Sequence, residues 1–163
     1  MGVTVMRGAG GDSIVVQDQW FPVVCSTWRA SPSKLVIEQY FDWLNRVLDR
    51  AQREGLAVVN ITDAGLAGLP DADVRRMIAE RTKEVDFTRA PKGFRAITVV
   101  ESSVIRGVMN ALAWMHGDMQ MKNTTVASRR DAIEQAQTWL RSVGITPPLE
   151  LAQGLLERPN AAR

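Results

Sequence analysis

Short apolar runs of strand length alternate with longer segments of helical periodicity, and this alternation constrains the fold more than any other feature of the chain. The runs Leu56–Ile61 and Phe94–Val100 are nearly continuous, as expected of strands covered on both faces. Between them, Val74, Met77 and Ile78 have the spacing of one helix face. Strands that alternate with helices predict a largely parallel sheet with crossover helices.

The full pattern predicts an α/β fold with the order β-β-α-β-α-β-α-β-α, in which about four helices accompany a four- to five-stranded mixed sheet. Ser13–Gln17 and Pro22–Trp28 are adjacent strands that predict a hairpin. Ser31 followed by Pro32 is typical of a helix start, and Gly55 is typical of the end of that helix.

The later elements have similar boundary signals. Ser102 or Ser103 is expected to cap a third helix, and Thr124–Ala127 is expected to form a short strand. Ser128 and Asp131 resemble a capping box, which predicts the start of a fourth helix.

We expect one domain, spanning residues 13–144 of the 163. Residues 1–12 are rich in glycine and lack the apolar core of a signal peptide, so we expect a flexible leader. Residues 145–163 are expected to form a tail, in which Pro147 and Pro148 mark a linker. Within this tail Leu149–Glu157 is a candidate short helix, which could pack on the body or on another chain.

The composition is that of a globular domain, with 45% hydrophobic and 23% charged residues. A net charge of +2 is too small to favour nucleic acid as a partner, and no apolar stretch is long enough to cross a membrane. Cys25 is the sole cysteine, so an intramolecular disulfide is impossible and the cytoplasm is the expected compartment. A buried structural thiol is the favoured role for Cys25.

Little in the sequence indicates catalysis. His116 is the sole histidine, which excludes paired-histidine metal sites. A Ser-His-Asp catalytic triad would require Ser102, His116 and Asp63 to lie together, and nothing in the sequence indicates that they do. The nucleophile motif Gly-x-Ser-x-Gly is also absent. We therefore expect no enzyme activity and no cofactor.

Polar residues do follow two strands at the end where open α/β sheets bind ligands. Thr62 and Asp63 follow one strand, and Ser102 and Ser103 follow another, with Arg106 one turn into the next helix. A helix amino terminus beside an arginine could bind an anion, although simple helix capping explains the same residues. A binder of a small apolar or anionic ligand is thus the alternative hypothesis.

The favoured hypothesis is a regulatory or scaffolding module that binds another protein. Trp114, Met115, Met119 and Met121 could form an adaptable contact surface, or could equally belong to the core. A homodimer is also plausible, because the first hairpin leaves a sheet edge open.

The chain resembles the SpoIIAA-like branch of the STAS superfamily, the anti-sigma factor antagonist domains, over about residues 13–143. The resemblance lies in Trp20–Val24, Val58–Asp63, Arg75–Glu80, Val99–Gly107, Asp131–Ile133 and Trp139–Leu140. It implies a four- or five-stranded sheet with helices largely on one side, and a role in protein–protein signalling without a cofactor.

Antagonist members of that superfamily carry a phosphorylatable serine at the start of the helix after the third strand. The matching stretch here is Asp63-Ala64-Gly65-Leu66, and its nearest hydroxyl belongs to Thr62. The chain therefore departs from the pattern that a kinase-controlled switch requires.

Overall fold

A computed structural model describes residues 2–103 and 122–159. Six strands form one sheet: β1 (Val3–Arg7), β2 (Ser13–Gln17), β3 (Val23–Ala30), β4 (Val58–Ala67), β5 (Phe94–Val99) and β6 (Lys122–Val126). Within the described ranges, four helices accompany them: α1 (Lys34–Glu54), α2 (Ala72–Glu84), α3 (Arg129–Ser142) and the single turn α4 (Leu151–Gly154). A short 3-10 turn, Phe87–Arg89, precedes β5.

The strands lie in the sheet in the same order as in the chain. The β1–β2 and β2–β3 pairs are antiparallel, whereas β3 through β6 are parallel. This mixed sheet confirms the predicted α/β class. The carboxyl ends of β3, β4 and β5 therefore meet at one edge, which is where the candidate site lies.

The predicted number of strands and the predicted flexible leader are both wrong. The sheet has six strands rather than four or five, because Val3–Arg7 is not a flexible leader but pairs with all of β2. The glycines that suggested flexibility are explained by the turn between these strands, where Gly11 has a positive φ of 81°.

The helices pack on both faces of the sheet, which differs from the one-sided arrangement that the resemblance implies. On one face, α1 and α2 pack over Val24 and Val58, and we call this the α1-side core. On the other face, α3 packs over Val59 and Ile61, and we call this the α3-side core. Successive residues of a strand point to opposite faces, so β4 contributes to both cores. Because β4 begins at Val58, this burial confirms the predicted central strand for all of the run Leu56–Ile61 except its first two residues.

Local signals explain most helix boundaries. Gly55 adopts the left-handed conformation that ends α1, and the Ser128 side chain accepts a hydrogen bond from the Asp131 amide at the start of α3, as predicted. The N-cap of α1 is Ser33 rather than Ser31, whose hydroxyl instead donates to the Leu69 carbonyl. The expected third helix beyond Ser103 falls outside the described residues.

The remaining sequence expectations concern burial. Cys25 is buried in the α3-side core, as predicted, and burial raises the pKa of its thiol to about 12. In the described ranges, none of the helices combines the length and apolar character that crossing a membrane requires.

We expect Leu140→Ala to lower the free energy of unfolding by about 2–5 kcal/mol, because Leu140 is fully buried and alanine leaves a cavity. The matched control is Leu149→Ala, which should change it by less than about 0.5 kcal/mol because Leu149 is 97% exposed. Urea unfolding of both variants measures the difference. Equal losses would contradict the packing described for α3.

Candidate functional site

An ionic network with a buried centre lies at the carboxyl end of the parallel strands. Its centre is Asp63, which is fully buried on β4 and faces α3. Arg129, Arg158, Glu101 and Thr27 surround it, and together these five residues are called the strand-end network. They come from three strand ends, the start of α3 and the tail.

Arg129 is the first residue of α3 and is 8% exposed. Its Nε donates to Asp63 Oδ2 at 2.6 Å, and its Nη2 donates to Thr27 Oγ1 at 2.6 Å. Thr27 lies directly opposite Asp63 in the β3–β4 ladder. Arg129 therefore bridges two neighbouring strands from the end of a helix.

Arg158 comes from the tail and reaches the same carboxylate. Its Nε donates to Asp63 Oδ2 at 2.8 Å, and its Nη2 also donates to Glu101, which follows β5. Gly65 makes this approach possible, since a β-carbon there would overlap the Arg158 guanidinium. The Gly65 amide also donates to Asp63 Oδ1 at 2.9 Å.

The network keeps Asp63 ionised. Burial by itself would raise the pKa of the Asp63 carboxyl, but hydrogen bonds from Arg158 and Arg129 outweigh burial and hold the pKa below its ordinary value. The hydrogen bonds that Arg158 donates to Asp63 and Glu101 raise the pKa of Arg158. Both oxygens of Asp63 are occupied by donors, so the geometry supports a positioning role for this carboxylate.

The tail covers the strand ends. Arg129 Nη1 donates to the carbonyls of Leu155 and Glu157, at 2.8 and 3.0 Å. Arg29 Nη2, from β3, donates to the Pro159 carbonyl at 2.7 Å. A ligand arriving at this edge would therefore meet the tail before it met Asp63.

A cavity of about 320 Å³ opens beside the network. Its lining includes Glu101, Ser128, Arg129, Leu156 and Arg158. Among the residues of the described ranges, no group of three or more His, Cys, Asp and Glu side chains is placed to hold a metal ion.

The structure brings together only some of the residues predicted for a site. Asp63 lies in the network, whereas Thr62 faces the opposite side of the sheet, where its hydroxyl accepts from Ser26 at 3.4 Å. Ser102 and Ser103 are exposed just after β5. Three other predicted site residues, Arg106, Trp114 and Met119, lie outside the described residues, and so does His116.

The sequence reasoning missed Arg129 and Arg158. A signal for Arg129 exists: a basic residue in the first turn of a helix opposes the helix dipole, so it indicates a nearby carboxylate. Arg158 has no such signal, because its partner Asp63 lies 95 positions away along the chain.

Asp63→Asn should lower the free energy of unfolding at pH 7 by about 3–5 kcal/mol, because it leaves the buried Arg129 guanidinium without its counter-charge and removes one of the two carboxylate partners of Arg158. A carboxylate with a lowered folded-state pKa stabilises the fold above its unfolded pKa of about 4, and this contribution is lost as the pH falls through the folded-state pKa. The wild-type chain should therefore lose stability more steeply in acid than the variant.

Urea unfolding at several pH values measures both effects. The control is Asp73→Asn, which removes an exposed ion pair with Arg76 and should cost less than about 1 kcal/mol. Identical acid profiles of wild type and Asp63→Asn would rule out the described role of the Asp63 charge.

Comparisons with known proteins support the fold. No family model matches the sequence, and no curated protein matches it. Among solved structures, the chain is similar to an uncharacterized protein of the DUF3478 family, with a SpoIIAA-like fold, from Shewanella loihica PV-4. The TM-score is 0.55 at 10% sequence identity, and the match covers 82% of this chain and 91% of that one. The chain therefore has a SpoIIAA-like fold.

Proposed function

We propose that this chain is a non-catalytic regulatory or scaffolding module that binds another protein at the carboxyl end of its sheet. The observation that carries the proposal is an exposed group of leucines at this end. Leu35, Leu66 and Leu69 are 56%, 41% and 80% exposed, and we call them the leucine surface.

Main-chain contacts hold these leucines near one another. Leu66, at the end of β4, lies opposite Arg29 of β3. Two residues later, the Gly68 amide donates to the Ala30 carbonyl at 2.9 Å. Leu69 accepts from Ser31, and Leu35 follows in the first turn of α1.

Exposed leucines that lie together favour a protein partner over a small polar ligand. Fully burying an exposed leucine side chain is worth about 1.5–3 kcal/mol, and these three partly exposed leucines can each contribute a fraction of that to an interface. Asp63 and Arg129, the buried charged groups at this sheet edge, are already engaged with each other, and apolar contact is therefore the proposed driving force. The partner should therefore present an apolar patch.

The structure around Leu66 gives no support to a phosphorylation switch at this edge. Residues 63–67 continue β4 as a strand, and α2 begins only at Ala72. The resemblance implies a serine at a helix start here. The exposed side chain at this place is that of Leu66, which has no hydroxyl. Binding that does not depend on phosphorylation at this position fits the arrangement better.

A homodimer is part of the same proposal. Among the described strands, β1 pairs with β2 alone, so its outer edge is available to a second copy. The proposed location is the cytoplasm, in keeping with the single buried thiol.

Leu66→Asp combined with Leu69→Asp should reduce partner capture at least about tenfold, because two charges replace apolar contacts. The matched control is Leu149→Asp. Leu149 is also exposed, at 97%, but it lies in the connection after α3, outside the leucine surface and away from β1.

The measurement is quantitative mass spectrometry of proteins captured by the full tagged chain, followed by titration with the purified candidate partner. Wild type and Leu149→Asp should bind alike, and circular dichroism should show that all variants are folded. Undiminished binding by the double variant would refute the leucine surface as the interface.

A further inference from the structure

The tail is bound to the body as a separate peptide would be. Arginine side chains of the body contact its main chain: Arg129 donates to the carbonyls of Leu155 and Glu157, and Arg29 donates to that of Pro159. Contacts to carbonyls are available to any peptide of suitable shape. They hold the segment without selecting its sequence.

Two leucines and one arginine supply the selectivity. Leu151 and Leu155 are four residues apart and almost fully buried, at 0% and 1% exposure, in the α3-side core. Arg158 pairs with Asp63 and Glu101. The body therefore has two apolar sites and one acidic site for the side chains of this segment.

Gly154 adds a steric requirement. A β-carbon at this position would overlap the indole ring of Trp20, so the close packing of the tail on Trp20 excludes every other residue. The surface formed by Trp20, Arg29, Asp63 and Arg129 is called the tail groove. It fits the pattern Leu-x-x-Gly-Leu-x-x-Arg.

A short connection joins this segment to α3, and its residues Ile145 and Pro147 are buried. Gly144 has a positive φ of 74°, Thr146 and Glu150 are exposed, and Leu149 is 97% exposed. Two prolines, Pro147 and Pro148, stiffen the connection. Short, constrained connections of this kind favour exchange of a terminal segment between two copies of a chain.

We propose that the tail groove is a peptide-binding site for the pattern Leu-x-x-Gly-Leu-x-x-Arg, and that a second copy of this chain supplies the peptide by exchanging tails. The second copy is the occupant because its tail carries every element that the groove requires, including the glycine against Trp20. The groove shares no residue with the leucine surface, so this proposal does not depend on the proposed function.

Full-length Gly154→Val tests the groove, because the added side chain should displace the tail from Trp20. A fluorescent peptide with the sequence of residues 149–159 should bind this variant at least tenfold more tightly than it binds the wild-type chain, whose groove is filled. The control peptide, with valine at the glycine position, should bind neither chain. Equal binding of both peptides, or no binding to a folded variant, would overturn the groove.

A second measurement does not require the Gly154→Val variant to fold. A protease site placed within residues 146–150 allows the connection to be cut after the full chain has folded. The labelled peptide should then replace the cut tail and elute with the body, and unlabelled Gly154 peptide should compete with it. A body that keeps its fold but exchanges no peptide would contradict the proposal.

Light scattering tests whether two copies of the chain exchange tails. The wild-type chain should form a dimer whose fraction rises with concentration, and Gly154→Val should lower that fraction, whereas a dimer formed only through the outer edge of β1 would be unaffected. Leu149→Asp is the matched control, which should leave the dimer unchanged because Leu149 is exposed and outside the groove. A monomeric wild type, or a dimer indifferent to Gly154→Val, would overturn tail exchange.

Discussion

The buried ion pair between Asp63 and Arg129 is the interaction on which the carboxyl end of this structure depends. A fully buried carboxylate would be costly alone, and Arg129 offsets that cost only because α3 begins where β6 ends and delivers the guanidinium to the strand ends. The remaining donors of Arg129 then bind Thr27 and the tail. One side chain thus joins two strands, a helix and the chain terminus.

Much of the fold follows from the sequence because its determinants are local. The periodicity around Val36 and Leu44 and the left-handed Gly55 specify α1, and the continuous run before Asp63 specifies the centre of β4. Local signals do not specify which strands pair with each other. Val3–Arg7 is recognisable as a strand only once β2 is available to pair with it.

The placement of helices on both faces has a related explanation. The helices α1 and α2 connect parallel neighbouring strands, so the handedness of crossover connections places them on one face. No strand follows α3 in the described part of the chain, so that rule does not restrict α3. It packs on the opposite face, where it buries Val59 and Ile61.

The candidate site is predictable from the sequence only in part. Asp63 lies at a strand end that the topology identifies, whereas the approach of Arg158 depends on the path of the tail.

The strand-end network and the tail form one unit in this account: the Asp63 charge orients Arg129, and Arg129 holds the tail. Amide hydrogen exchange of wild type and Asp63→Asn, followed at the Gly154 and Leu155 amides, tests this claim most directly. If the account is correct, these amides exchange at least about tenfold faster in the variant, and the Ile37 amide of α1 changes much less. Tail amides that keep their protection relative to α1 would contradict it.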